Sequence, residues 1–297
     1  MILLAEHFVR APQWLWYILF YFFFAGLAGG SYAIGTLLRL SGDVRDEAAA
    51  RVGFLIAGPT TAICPILLTA DLGVSWSRFW HMLVDVTPGS TGLNFHYWSP
   101  MSVGVWALTI FGFFVLVSFL DAWRPFIPRP VNIVFNVVGA VIAIYVASYT
   151  GVLLSVSNQP VWSDTWALGG LFLASGLSGS AALIALLIRN RADAAFSLSR
   201  LHQADGYFSA LELVLVIVFF VTIGAAGVLD REIVWLPLWA IAVAGIAASL
   251  VEARGHMRAR VSGSGTVAGM RIDTLVVSVL VLLGVLALRA AVIFSAQ

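Results

Sequence analysis

The chain contains no lysine. All 16 of its basic residues are arginine, they balance 15 Asp and Glu, and charged residues make up 10% of 297 positions. Soluble domains carry about 25% charged residues, so an ordinary water-soluble globule is excluded. The net charge of +1 gives no electrostatic footprint for nucleic acid. Cysteine is nearly missing as well. Cys64 stands alone inside an apolar run, which excludes a disulfide framework, a CxxC pair and an iron–sulfur ligand set. Nucleophile-elbow and HExxH patterns are absent. Bis-histidine haem in a membrane bundle needs histidines inside the spans. On the boundaries given below, His7, His81, His96, His202 and His256 all fall in or beside loops. His81 and His96 have no third ligand at a recognisable spacing. The chain is therefore expected to hold no haem and no metal, and any redox work must draw electrons from a partner.

What is present is apolar: 61% of residues are hydrophobic and the mean hydropathy is +0.97. Eight runs approach the ~20 residues needed to cross a bilayer. They lie at about 14–38, 52–72, 101–120, 131–154, 166–188, 207–228, 233–252 and 272–293. The expected fold is an all-α polytopic membrane protein of eight helices, arranged as two four-helix bundles. The first twelve residues, MILLAEHFVRAP, lack the pattern of a removable signal peptide. Pro59 and Pro65 are expected to kink the second span unless neighbours satisfy the freed carbonyls. The loops are short except 73–99, a length that points to function.

Arginine placement sets the orientation. Twelve arginines, including Arg39, Arg45, Arg124, Arg189 and Arg254, fall on one side of the spans, against Arg10, Arg78, Arg231 and Arg289 on the other. The positive-inside rule puts the first side in the cytoplasm, so both termini and loop 73–99 face outward. A weak repeat is also visible. Gly26-Leu27-Ala28-Gly29-Gly30 resembles Gly176-Leu177-Ser178-Gly179-Ser180, and each is followed by an arginine, Arg39 or Arg189. This spacing suits a duplicated four-helix unit, 14–155 and 165–294, though chance likeness of two glycine-rich helices also explains it. Ser262-Gly263-Ser264-Gly265 reads as a flexible loop without the context of a phosphate cradle.

The polar residues concentrate between Thr69 and Trp106. Asp71, Arg78, His81, Asp85 and His96 crowd the junction of the second and third spans. An Asp at the bilayer centre costs about 2.5–3.5 kcal/mol and less near the interface, which makes Asp71 a functional candidate. A helix cap beside Arg78 is the plainer alternative. Glu212, about two turns inside span six, is the other carboxylate needing a reason, and it is a candidate for a proton path.

These residues carry a family resemblance. Asp71-Leu72-Gly73 followed by Arg78-Phe79-Trp80-His81-Met82 resembles the second-span ending of polysulfide-reductase-type membrane subunits, the NrfD/PsrC group. Ser99-Pro100-Met101-Ser102, running into Gly104 and Trp106, is similar to the start of their third span. Tyr149-Thr150-Gly151 with Pro160-Val161-Trp162, and Leu171 to Ser178, match the fourth-span ending and the fifth span. The resemblance covers spans one to six; the last two match only as apolar helices. It implies a haem-free, quinone-reactive subunit in the cytoplasmic (inner) membrane. Its implied partners are an iron–sulfur electron-transfer subunit and a molybdopterin-type catalytic subunit.

The resemblance assigns Tyr149 to a hydrogen bond with a quinone carbonyl. Gln13 and Tyr17, one turn apart on span one, can face the same head group. Asp71 is expected to exchange protons with help from His81 or Arg78, unless Arg78 only neutralises it. Ser99, Ser102 and Trp106 belong to the same region, shaping or walling the quinone pocket. A proton-coupled secondary transporter is the rival reading, since glycine-rich spans and intramembrane carboxylates suit that function too.

Overall fold

A computed structural model describes residues 12–73, 76–89, 92–261 and 273–297. His7, Arg10, the 262–265 segment and Arg271 lie outside the described residues, as do the side chains of His256, Arg258 and Arg260. Among the described residues, eight helices are long and apolar enough to cross a membrane: α1 (Trp16–Leu40), α2 (Glu47–Asp71), α3 (Pro100–Trp123), α4 (Arg129–Ser155), α5 (Leu168–Ile188), α6 (Ala195–Ala225), α7 (Leu236–Val261) and α8 (Thr274–Ser295). The chain is a multi-pass membrane protein.

Several helices run beyond their expected boundaries: α2 starts at Glu47, α7 ends at Val261 and α6 starts earliest of all. α6 begins at Ala195, twelve residues before the expected start at 207, because the polar stretch FSLSRLHQADG continues the helix below the apolar run. His202 therefore lies inside a helix and is buried, not in a loop as expected. α2 runs unbroken through Pro59 and Pro65. Hydroxyls on its own turns add bonds there, Thr60 Oγ1 to the Ile56 carbonyl at 2.7 Å and Thr69 Oγ1 to the Pro65 carbonyl at 2.7 Å.

Helices α1 to α4 pack in a ring, each on the next and α4 back on α1; α5 to α8 form a second ring in the same way. The two rings meet where α5 packs on α1 and α4. Apolar helices gain nothing from hydrophobic burial against one another in lipid, so close backbone approach must supply the attraction. Glycine permits it here. A Cβ on Gly30 would lie 2.5 Å from the Gly176 carbonyl oxygen, and one on Gly176 would lie 3.0 Å from that of Gly26. The two glycine motifs singled out in the sequence thus cross each other at the centre of the molecule. Ser180 Oγ adds a hydrogen bond to the Leu27 carbonyl at 3.1 Å.

A buried polar network ties the arginine-rich end of the first ring. Arg39 pairs with Glu47 at 2.7 Å and donates to Asn132 at 2.5 Å, while Asp121 accepts from Asn132 and from the amides of Phe126 and Ile127. At the opposite end the residues leading into α1 meet the end of α8, with Gln297 Nε2 donating to the Trp14 carbonyl at 3.0 Å. Arg289 does not face outward with Arg78 and Arg231. It is fully buried in α8, where it donates to Ser175 Oγ at 2.9 Å and to the carbonyls of Phe172 and Phe22 at 3.1 and 3.3 Å. The remaining asymmetry still predicts the orientation. A reporter fused after Gln297 will behave as extracytoplasmic and one inserted in loop 189–194 as cytoplasmic; the reverse pattern would contradict the arginine reading.

Candidate functional site

Where α1 to α4 end, away from the arginine-rich side, their side chains enclose a cavity of about 130 Å³. Asp71, the last residue of α2, lines it together with Tyr149 of α4, Tyr21 of α1, Gly104 of α3 and Met82 of the following loop. Asp71 and Tyr149 belong to different spans, 78 positions apart by numbering; the fold brings both to one wall-to-wall space.

Each polar group there has a definable capacity. The Tyr149 hydroxyl donates to the Pro100 carbonyl at 2.5 Å, and its ring stacks on Tyr145 at 5.8 Å. Its single proton is committed, so only its lone pairs remain, as an acceptor. The ring fits only because residue 104 is glycine: a Cβ there would overlap the phenol. Asp71 is partly exposed and forms no ion pair among the described residues, with Arg78 or any other cation. Ionised, it can only accept. The buried Tyr21 hydroxyl makes no hydrogen bond among the described residues, which leaves it a free donor on the cavity wall.

The other expected residues lie around this cavity without lining it. A 3-10 turn (Trp76–Met82) and a two-residue pairing of β1 (Val84–Asp85) with β2 (Gly92–Leu93) fold the long loop back over the helix ends. Arg78 is exposed on that turn. His81 is half-buried, its ring edge-on to Trp80 at 4.2 Å and its carbonyl accepting from Asn94 Nδ2 at 3.0 Å. Ser99 caps α3, accepting from the Ser102 amide at 3.5 Å. Ser102 Oγ accepts from the His96 amide at 3.0 Å, and both Ser102 Oγ and Trp106 Nε1 donate to the Asn94 carbonyl, at 3.2 and 3.1 Å. These three fasten the loop to α3. Gln13 and Tyr17 are exposed, Tyr17 at 47%, and neither reaches the cavity wall.

Tyr21, and not Tyr17, is the tyrosine that α1 presents to the cavity. A sequence signal for it exists, since Trp14, Ile18, Tyr21 and Ala25 recur at helical spacing and continue into the glycine face of α1. Glu212 is buried in α6, in the second ring and away from Asp71. It shares one α6 face with His202, Asp205 and Ser209, spaced three, four and three residues apart. Ser178 Oγ donates to Asp205 at 2.7 Å, and His202 Nε2 lies 3.6 Å from Glu252. Among the described residues no three His, Cys, Asp or Glu side chains cluster at metal-binding distances.

The profile of the polysulphide reductase NrfD family matches residues 4–297. The C subunit of the polysulfide reductase of Wolinella succinogenes is 28% identical over 229 residues, 70% of this chain and 69% of that protein. Protein NrfD of Escherichia coli K12 is 29% identical over 216 residues, and the match spans 64% of each protein.

Proposed function

Because this chain belongs to the polysulphide reductase NrfD family, we propose that it is the quinone-reactive membrane subunit of an oxidoreductase complex. An iron–sulfur subunit exchanges electrons with it at the Asp71 end, and a molybdopterin-type subunit turns over the complex's substrate. The observation that carries this reading is the shared cavity of Asp71 and Tyr149. Interconversion of a quinone and its quinol moves two electrons and two protons. The chain supplies the proton chemistry: Asp71, at the membrane edge, accepts or returns a proton, with His81, the residue before the cavity-lining Met82, as the next group toward water. Tyr21 orients the head group as a free donor to a quinone carbonyl, and Tyr149, its proton given to the Pro100 carbonyl, accepts through its lone pairs from a quinol hydroxyl. Glu212 and the buried α6 face extend the proton route into the second ring. We place the complex in the cytoplasmic membrane with the cavity outward.

Tyr149→Phe tests the orienting role. Removing one hydroxyl costs about 0.5–1.5 kcal/mol, a several-fold rise in KM for quinol. Dye-linked turnover at the catalytic subunit, which bypasses the membrane, will stay at the wild-type rate. Unchanged quinol kinetics would remove Tyr149 from the site. Purification from native membranes tests the assembly: co-purifying iron–sulfur and molybdenum or tungsten subunits support it, and a lone polypeptide supports a transporter.

A further inference from the structure

Beside the head cavity, on the lipid-facing side of α2 and α3, runs a groove of about 620 Å³. It shares Leu68, Met82 and Val105 with the cavity, so the two spaces adjoin along a common wall. Phe79 and Leu83 of the long loop line it beside the helix ends, and Phe119, packed on Gly58, lines its far end. From Thr69 to Gly58 it follows α2 for about 16 Å, roughly half the hydrocarbon core. The lining is almost wholly apolar, and the hydroxyls of Thr69 and Thr109 are tied to their own helix carbonyls at 2.7 and 2.8 Å. Pro59, Ala62, Pro65 and Leu116 on its walls are exposed, so the groove opens sideways to lipid.

We propose that this groove seats the isoprenoid tail of the quinone and is its lateral entrance from the bilayer, with Met82 at the junction of tail and head. The proposal rests on the quinone reading of the cavity. Its grounds are adjacency, through the shared Leu68, Met82 and Val105, and chemistry. A tail attached to a head group between Asp71 and Tyr149 must leave the cavity, and the shared residues mark an apolar exit. The unbranched, flexible Met82 is suited to a wall that must yield to a passing chain.

Gly112 provides the test. It lines the groove, and a Cβ there meets nothing within 4 Å. Gly112→Leu therefore starts its side chain in open space, adds bulk to the groove and raises helix propensity. Gly224 of α6 is likewise open and lies in the other ring, so Gly224→Leu is the control for added bulk. KM is measured in the intact complex for a long polyprenyl quinone and for a water-soluble quinone with a single isoprene unit. Gly112→Leu is expected to raise the long-to-short KM ratio about tenfold, the effect of overfilling a packed site. Gly224→Leu is expected to leave the ratio unchanged. An unchanged ratio in Gly112→Leu would overturn the tail assignment while the head reading stands. So would loss of partner subunits on purification, which marks a docking face, or loss of bound phospholipid without a kinetic effect, which marks a lipid seat. Wild-type complex that turns over neither quinone would instead defeat the quinone reading itself.

Discussion

Asp71→Asn will assemble with its partners and yet lose quinone-linked turnover by about a hundredfold or more, the usual weight of a general acid or base. The substitution keeps the side chain's size and polarity and removes only its capacity to carry a proton. Asp71 ends a helix at the membrane edge and lines the cavity without an ion pair among the described residues, so the variant leaves no opposite charge stranded. Its effect should therefore appear in rate and not in stability. Artificial-dye reduction or oxidation at the catalytic subunit will persist at the wild-type rate. His81 is the nearby group able to take over part of the transfer, and Asp71→Asn combined with His81→Gln should remove the residue of activity. Full quinone turnover in Asp71→Asn would return this carboxylate to a capping role.

Gly30→Leu will have the largest structural effect. The glycine face of α1 meets that of α5 with the Gly176 carbonyl oxygen 2.5 Å from where a Cβ would stand. Backbone cannot rotate away as a side chain can, so α1 and α5 must separate along the seam that joins the two rings. Overpacking costs about 1–3 kcal/mol for small additions, and a full isobutyl group against backbone will cost at least about 3 kcal/mol. Thermal unfolding in detergent will show a lowered midpoint, and the yield of folded protein will fall. Gly112→Leu, which adds the same group into open space, is the matched comparison; equal stability of the two variants would show that the α1–α5 seam does not depend on close approach.

Much of this fold is legible in the sequence because bilayer thickness fixes helix length and the cost of charge in lipid makes an interrupted apolar run conspicuous. Eight spans and the polar junction at Asp71 follow from those two constraints. The start of α6 is hidden because FSLSRLHQADG is polar enough to read as loop, and its helical continuation depends on packing against neighbouring helices. Arg289 reads as a surface residue because its position near a span end resembles an interface residue. Only the convergence of Phe22, Phe172 and Ser175 from α1 and α5 shows why a buried guanidinium is tolerated there. Tyr21 and Tyr17 both suit an interfacial belt, and the difference between them is one of rotation about α1. Val161, at φ 73°, gives no sequence signal of its unusual backbone; its amide bonds to Asp164 at 2.9 Å, and Trp162 beside it donates to the Val292 carbonyl at 2.6 Å. Such features depend on which helices become neighbours, and local pattern does not encode that.

The central claim is that a quinone head group occupies the cavity between Asp71 and Tyr149. Photolabelling tests it most directly, using intact purified complex and a quinone bearing an azide on its ring, with the modified peptides then identified by mass spectrometry. The expected result is covalent label on the cavity's own segments, around residues 14–22, 68–72, 82, 101–105 and 149–153, and loss of that label when native quinone is present in excess. Label confined to α5–α8, or label on the cavity that native quinone does not displace, would contradict it.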